Sequence, residues 1–198
     1  MTWRNIIEIK SLEYVCGYCG NAVASSQGFH DPEGKREVYV CPHCKQPTYF
    51  NERGGRTPGV APGMEVSNLP ELLDGLYREA RNCIAIGSHT ASVLACRKLL
   101  MNIAVTQGAE EGKPFISYVE YLANSGYVPP NGKGWVDHIR QKGNEATHEI
   151  ALMSKADAEE LISFIEMLLK FIYEFPARIP KPKTLNAGNS QPPKPANR

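Results

Sequence analysis

The sequence predicts a mainly α protein, with a β-rich cysteine module at its head and a set of packed helices behind it. Three observations carry that reading. Two Cys-x-x-Cys pairs lie before residue 45, a Gly/Pro stretch follows at 54–63, and from Leu69 onward apolar residues recur at steps of three and four. The expected organisation is a metal module over 1–53, a linker over 54–68, a helical domain over 69–175 and a disordered basic Pro-rich tail over 176–198.

Cys16 pairs with Cys19 and Cys41 with Cys44, with 21 residues between the pairs. Each Cys-x-x-Cys turn delivers two sulfurs to one ion, and two such turns complete a tetrahedron, so the expected cofactor is a structural Zn2+ held by all four. A catalytic zinc keeps one position open, which four thiolates do not leave. His30 and His43 are the alternative ligands nearby. Short strands are expected to lead into both turns, Tyr14-Val15 before the first and Val38-Tyr39-Val40 before the second. The segment resembles a zinc ribbon, with Thr48-Tyr49-Phe50 as a further strand. About 50 residues bury too little apolar surface to fold securely alone, and structural zinc contributes about 10–16 kcal/mol of apparent binding energy.

The near-neutral net charge of +1 hides an asymmetry. Lys and Arg against Asp and Glu number 7 and 7 over residues 1–68, 10 and 14 over 69–175, and 5 and 0 over 176–198. The helical part thus carries 10 − 14 = −4, which argues against an extended phosphate-binding face there. The N-terminus Met1-Thr2-Trp3-Arg4-Asn5 lacks the apolar run of a signal peptide, and no stretch is long and uncharged enough for a membrane span. A cytoplasmic protein with no membrane partner is expected, in a reducing compartment that favours metal over disulfide.

In the helical part, Leu69, Leu72, Leu73, Leu76, Tyr77, Ala80, Cys83 and Ile84 form the stripe of a first helix. Ser88 is placed to cap a second, with Val93, Cys96, Leu100 and Ile103 as its stripe and Leu94, Leu99 and Met101 widening it. Pro114 can start a short third helix through Ile116, Val119 and Leu122, and Pro129-Pro130-Asn131-Gly132 interrupts before a fourth. Ser154 and Asp157 have capping-box spacing for the last helix, which runs to about Phe175. That helix carries Ala158, Leu161, Ile162, Ile165, Leu168, Leu169 and Ile172, with Phe164, Met167 and Phe171 beside them. So broad an apolar surface suits either a central helix or a seam between two copies. Cys83 and Cys96 lie on the apolar faces and read as core residues.

On the fourth helix Val136, Ile139, Gly143, Ala146 and Ile150 make the packing seam, while Arg140, Asn144 and His148 follow at steps of four as one polar row beside it. The row suits either a phosphate or a neighbouring helix.

The stretch Ile139-Arg140-Gln141-Lys142-Gly143-Asn144-Glu145-Ala146-Thr147-His148, with Ala91-Ser92-Val93-Leu94-Ala95-Cys96-Arg97-Lys98-Leu99-Leu100 upstream and Asp157-Ala158-Glu159-Glu160-Leu161 downstream, resembles the prokaryotic domain-of-unknown-function family 4145. That family is grouped with the HEPN superfamily (higher eukaryotes and prokaryotes nucleotide-binding). The resemblance covers roughly 69–176 and implies a HEPN-like bundle of four or five helices, frequently paired as a homodimer. Members are often preceded by zinc ribbons or fused to defence proteins. The first function implied is a binding or regulatory protein that engages nucleic acid or a protein partner in defence against foreign genetic elements. The second is a metal-independent endoribonuclease, in which RNA is cleaved through its 2′-hydroxyl. His148 would then act as general acid or base, Arg140 would stabilise the phosphorane and Asn144 would orient one of them, the site being completed across the dimer. Gln141 holds the place directly after the arginine, and the Arg140–His148 separation is wider than in active HEPN ribonucleases. A structural lock, with Asn144 and His148 bonding a neighbouring element, therefore stands beside the catalytic reading.

Overall fold

A computed structural model describes residues 3–129, 132, 134–139 and 152–179. The chain opens with five strands, β1 (Ile7–Val15), β2 (Ala22–His30), β3 (Glu37–Val40), β4 (Pro47–Phe50) and β5 (Arg56–Thr57), which pair antiparallel in chain order. Two of the turns are made by short polar side chains. Asp31 Oδ1 accepts the Lys35 N–H at 2.8 Å between β2 and β3, and Asn51 Oδ1 accepts the Gly55 N–H at 2.8 Å between β4 and β5. The outer strands approach each other where the Arg56 guanidinium donates to the Val15 carbonyl at 3.2 Å.

This sheet corrects the expectation of a mainly α chain. With 46% helix and 17% strand the fold is an α+β mixture. The physical reason lies in β1 and β2, each nine residues long. Only the strand ends beside the cysteines carry Tyr and Val; Ala24, Ser25, Ser26, Gln27 and Gly28 have weak strand preference and are held extended by their partners.

Behind the sheet come α1 (Glu71–Ala85), α2 (His89–Thr106) and α3 (Phe115–Asn124). Residues 134–139 are helical, and α4 (Lys155–Leu169) continues through a π-helical turn, Lys170–Glu174, into α5 (Phe175–Arg178). Glu71 and Asp74 in the first turn of α1 complement its dipole. Helices α1, α2 and α3 end alike: the N–H two residues past the helix cap reaches back five residues, as Ser88 to Cys83 at 2.7 Å, Ala109 to Ala104 at 2.9 Å and Tyr127 to Leu122 at 3.0 Å. The residue between, Gly87, Gly108 or Gly126, takes the positive φ this ending requires. Ser154 and Asp157 close a reciprocal capping box on α4, each backbone N–H donating to the other's side chain at 3.1 Å. Ser88 stands at the cap position of α2 without making that bond.

The core of the helical part runs through Tyr77, Leu99, Leu100, Ile103, Leu122, Phe164, Ile165 and Leu168. Nearly all the apolar breadth of α4 is spent inside the chain, Phe164 included, while Phe171 is about half exposed. Leu72, assigned by spacing to the α1 stripe, instead faces solvent at 89% exposure. Val136 and Ile139 are buried as a seam requires, and Trp135 meets Phe164 edge-on at 5.0 Å. Among the described residues no helix is long and apolar enough to cross a membrane.

The Gly/Pro segment before α1 lies along the helices as a strap. Arg81 donates to the Pro62 and Gly63 carbonyls at 2.7 and 2.8 Å, Tyr77 to the Met64 carbonyl at 3.0 Å. Glu166 accepts the Met64 N–H at 2.9 Å and Glu174 the Ser67 N–H at 3.1 Å. These two carboxylates pair in turn with Lys170 and Arg178 one helical turn on.

Candidate metal centre

The two cysteine turns are built on one plan. In the first, Cys16 N–H donates to Asn21 O and Gly20 N–H to Cys16 O, both at 2.9 Å. In the second, Cys41 N–H donates to Gln46 O and Lys45 N–H to Cys41 O, both at 2.9 Å. Gly20 and Lys45 occupy the same position at φ 67° and 62°. The first is free of cost there; the second carries the left-handed penalty of about 1–2 kcal/mol for an L side chain.

The turns bring the sulfurs into one cluster. Cys16 Sγ lies 3.7 Å from Cys44 Sγ, Cys19 Sγ lies 3.8 Å from Cys41 Sγ, and all four fall within 4.8 Å of one another. Four sulfurs each about 2.3 Å from a zinc ion, at tetrahedral corners, stand about 3.8 Å apart. A disulfide would need about 2.05 Å. The donor set therefore fits a metal ion, with all four corners supplied by the protein. Cys16 and Cys41 are buried and Cys19 and Cys44 half-buried.

The close packing of the sulfurs shifts three of the thiols. Burial pushes Cys16 up, and Cys44 up to about 12. Burial acts to raise Cys19 too, but bonds from the Asn21 backbone and side chain and from Cys44 and Cys16 bring it down to about 6.

Around the cluster is a small aromatic core. Phe50 stands edge-on to Tyr14 at 5.3 Å and to Tyr39 at 5.5 Å, and the Tyr39 hydroxyl donates to the Lys10 carbonyl at 2.7 Å. His43 lies outside the cluster, its Nδ1 3.2 Å from Asn21 Nδ2, and His30 Nδ1 contacts the Asp31 carbonyl at 2.6 Å. Neither joins the four-sulfur cluster.

Gly17, the residue after the first ligand, was not singled out by sequence. A Cβ there would stand 2.4 Å from Gly59 O and 2.6 Å from Pro58 O, so the strap touches the metal turn directly. Gly59 N–H in turn donates to Ala85 O at 2.7 Å, at the last turn of α1. The metal turn, the strap and α1 are thus in contact through two backbone atoms of one residue. The sequence signal was present only as two glycines, Gly17 and Gly59, each inside a motif already given another explanation.

Arg140, Asn144 and His148 lie outside the described residues. The nearest described residues, the helical 134–139, are pinned to α4 by His138 Nδ1 and Glu160 Oε1 at 2.7 Å.

A family model described as "Domain of unknown function (DUF4145)" matches residues 78–188, which takes in most of α1 and everything through α5 but not the cysteine module. No curated protein and no solved structure matches the chain.

Proposed function

We propose, from the premise that the chain belongs to the family described as domain of unknown function DUF4145, that it is a zinc-braced binding or regulatory protein whose ribbon engages nucleic acid. The observation that carries this reading is the closed set of four sulfurs: with every tetrahedral corner taken by Cys16, Cys19, Cys41 and Cys44, the ion has no position for substrate and acts as a brace. Zinc is the ion this all-thiolate tetrahedron suits in a chain of this kind. What the brace holds out to solvent is aromatic. Tyr49 on β4 is 39% exposed, Tyr18 on the first cysteine turn 55% and Trp3, ahead of β1, 38%; Trp3 leans on Phe29 of β2 with ring centroids 6.2 Å apart. Exposed rings on a rigid sheet are what unpaired bases stack on, at about 1–3 kcal/mol per base. The balanced charge of the module favours single-stranded substrates read by stacking over duplex held by phosphate contacts.

The HEPN-like character of the helical part, its pairing into a homodimer and its place in prokaryotic defence come from the resemblance, its cytoplasmic location from the sequence pattern, and all belong to the same proposal. A protein partner is the competing occupant of the aromatic surface. The endoribonuclease reading through Arg140, Asn144 and His148 has no support from the described residues, and enters as an outcome of the test.

That test is fluorescence anisotropy of labelled single-stranded RNA, single-stranded DNA and duplex with zinc-loaded protein across a salt series. Saturable single-strand binding that is lost in Trp3→Ala/Tyr49→Ala, with the RNA intact afterwards, is expected. Absence of single-strand binding contradicts the reading, and RNA cleavage in the presence of chelator replaces it with the nuclease.

A further inference from the structure

Helix α1 carries two apolar seams. The inner one, Leu73, Tyr77, Ala80 and Ile84, is buried in the core. The outer one runs through Leu72, Leu76, Cys83 and Ile86 along another side of the helix, and only Glu79 interrupts its spacing of four, three, four and three. The two ends of this outer seam face solvent, Leu72 at 89% and Ile86 at 61% exposure, with Leu76 and Cys83 half-buried between them. A groove of about 630 Å³ opens beside it, bounded across the way by Lys98 and Asn102 of α2, and a second hollow continues from Gly75 to Ile86. Gly75 belongs to both. Glycine inside a helix is destabilising relative to alanine, and nothing in the chain requires it here, since a Cβ at Gly75 would meet no atom within 4 Å. A bare backbone on an apolar face lets another helix come close.

We infer that this face of α1 is where a second copy of the chain docks, α1 against α1 about a two-fold axis. Two observations choose the copy over other occupants. Glu71 and Glu79 line the groove together with Arg78 and Lys98, two of each sign. A two-fold axis sets the patch against itself, which a balanced patch can satisfy and a patch of one sign cannot. The same balance leaves no net charge to draw in the all-basic segment 176–198 or a nucleic-acid strand. The other apolar surfaces are also less suited. Nearly all the breadth of α4 is buried inside the chain, while Phe171 and Phe175, edge-on to each other at 5.4 Å, lead straight into the basic segment, where two copies would repel. The inference rests on the homodimer of the reading above, to which it gives a surface; the aromatic surface of the metal module is separate from it.

The 15 residues of α1 span about 22 Å, and with α2 beside it the face is about 20 Å wide, so each copy buries on the order of 450 Å², about half of what a standard interface takes. Association with a Kd in the micromolar range is therefore expected. Sedimentation velocity of the full-length zinc-loaded protein from about 1 to about 300 µM brackets that range. The wild type should pass from monomer to dimer across the series. Leu72→Glu/Ile86→Glu, which places charge at two exposed positions, should keep the melting temperature of the dilute monomer and weaken association about tenfold or more. Gly75→Gln should move the two readouts apart, raising the melting temperature of the dilute monomer because glutamine is the better helix former, while weakening the dimer by filling the close approach. A folding defect cannot produce that combination. A wild type that dimerises together with variants that dimerise equally well overturns the α1 surface and leaves the homodimer standing. A wild type that stays monomeric to the top of the series overturns both, and neither result touches single-strand binding by the metal module.

Discussion

The metal module and the helical domain solve the same problem by different physics. Among the described residues the helical domain gathers 26 buried apolar residues into one cluster, whereas the module gathers four, two of which, Cys16 and Cys41, belong to the four-cysteine cluster. At roughly 1.5–3 kcal/mol per fully buried large side chain, the helical core can offset its own chain entropy and the module's cannot. One region is held by area; the other offers four converging sulfurs that fit an ion. Their boundary is narrow as well, the strap touching the metal turn at Gly17 and the end of α1 through Gly59.

The largest effect that should break this comparison is loss of a ligand. Cys41→Ser should unfold the module and leave the helices intact, since about 10–16 kcal/mol of apparent metal binding energy resides there. Circular dichroism at a helix-dominated wavelength should barely change, while the near-ultraviolet signal of Tyr14 and Tyr39 disappears. The mirror experiment is Leu100→Ala, at a fully buried position in the helical core. It should cost about 2–5 kcal/mol by thermal melting and leave the metal stoichiometry, measured by a colorimetric chelator, unchanged. Gly17→Ala sharpens the boundary instead: forcing a methyl to within 2.4 Å of a backbone carbonyl should cost about 1–3 kcal/mol and be felt by both regions, as a lowered melting temperature together with faster metal loss to a competing chelator. The smallest effect lies inside the module. Gly20→Ala should cost about 1 kcal/mol, because its φ of 67° is left-handed, whereas Lys45→Gly at the matching position should be neutral or stabilising by about 0.5 kcal/mol; both are read by denaturant titration of metal-loaded protein.

What the sequence made legible follows the range of the forces. The meeting of the four cysteines could be read because each pair is local and only two turns had to meet. The Ser154–Asp157 box could be read for the same reason. The stripe of α4 was read from its spacing, but whether Phe164 faces the core or a second copy depends on Trp135, which packs against it from another element. Strands β1 and β2 were underread because their central residues have little preference of their own and are held by partners up to 21 residues away, as Ile7 is by Gly28. Leu72 fits the helical period and faces solvent all the same, since a period names a face and not what covers it. Gly17 meets Gly59 across 42 residues, and neither glycine announces a contact.

The most direct test of the division between a metal-held and an area-held region is amide hydrogen exchange of the full chain before and after metal is removed by a chelator. Amides of β1 to β4 should lose their protection on removal, while those at the centres of α1, α2 and α4 keep theirs, with intermediate loss confined to Gly59 and the strap. Protection lost throughout the helices as well, or kept in both regions, would contradict the account.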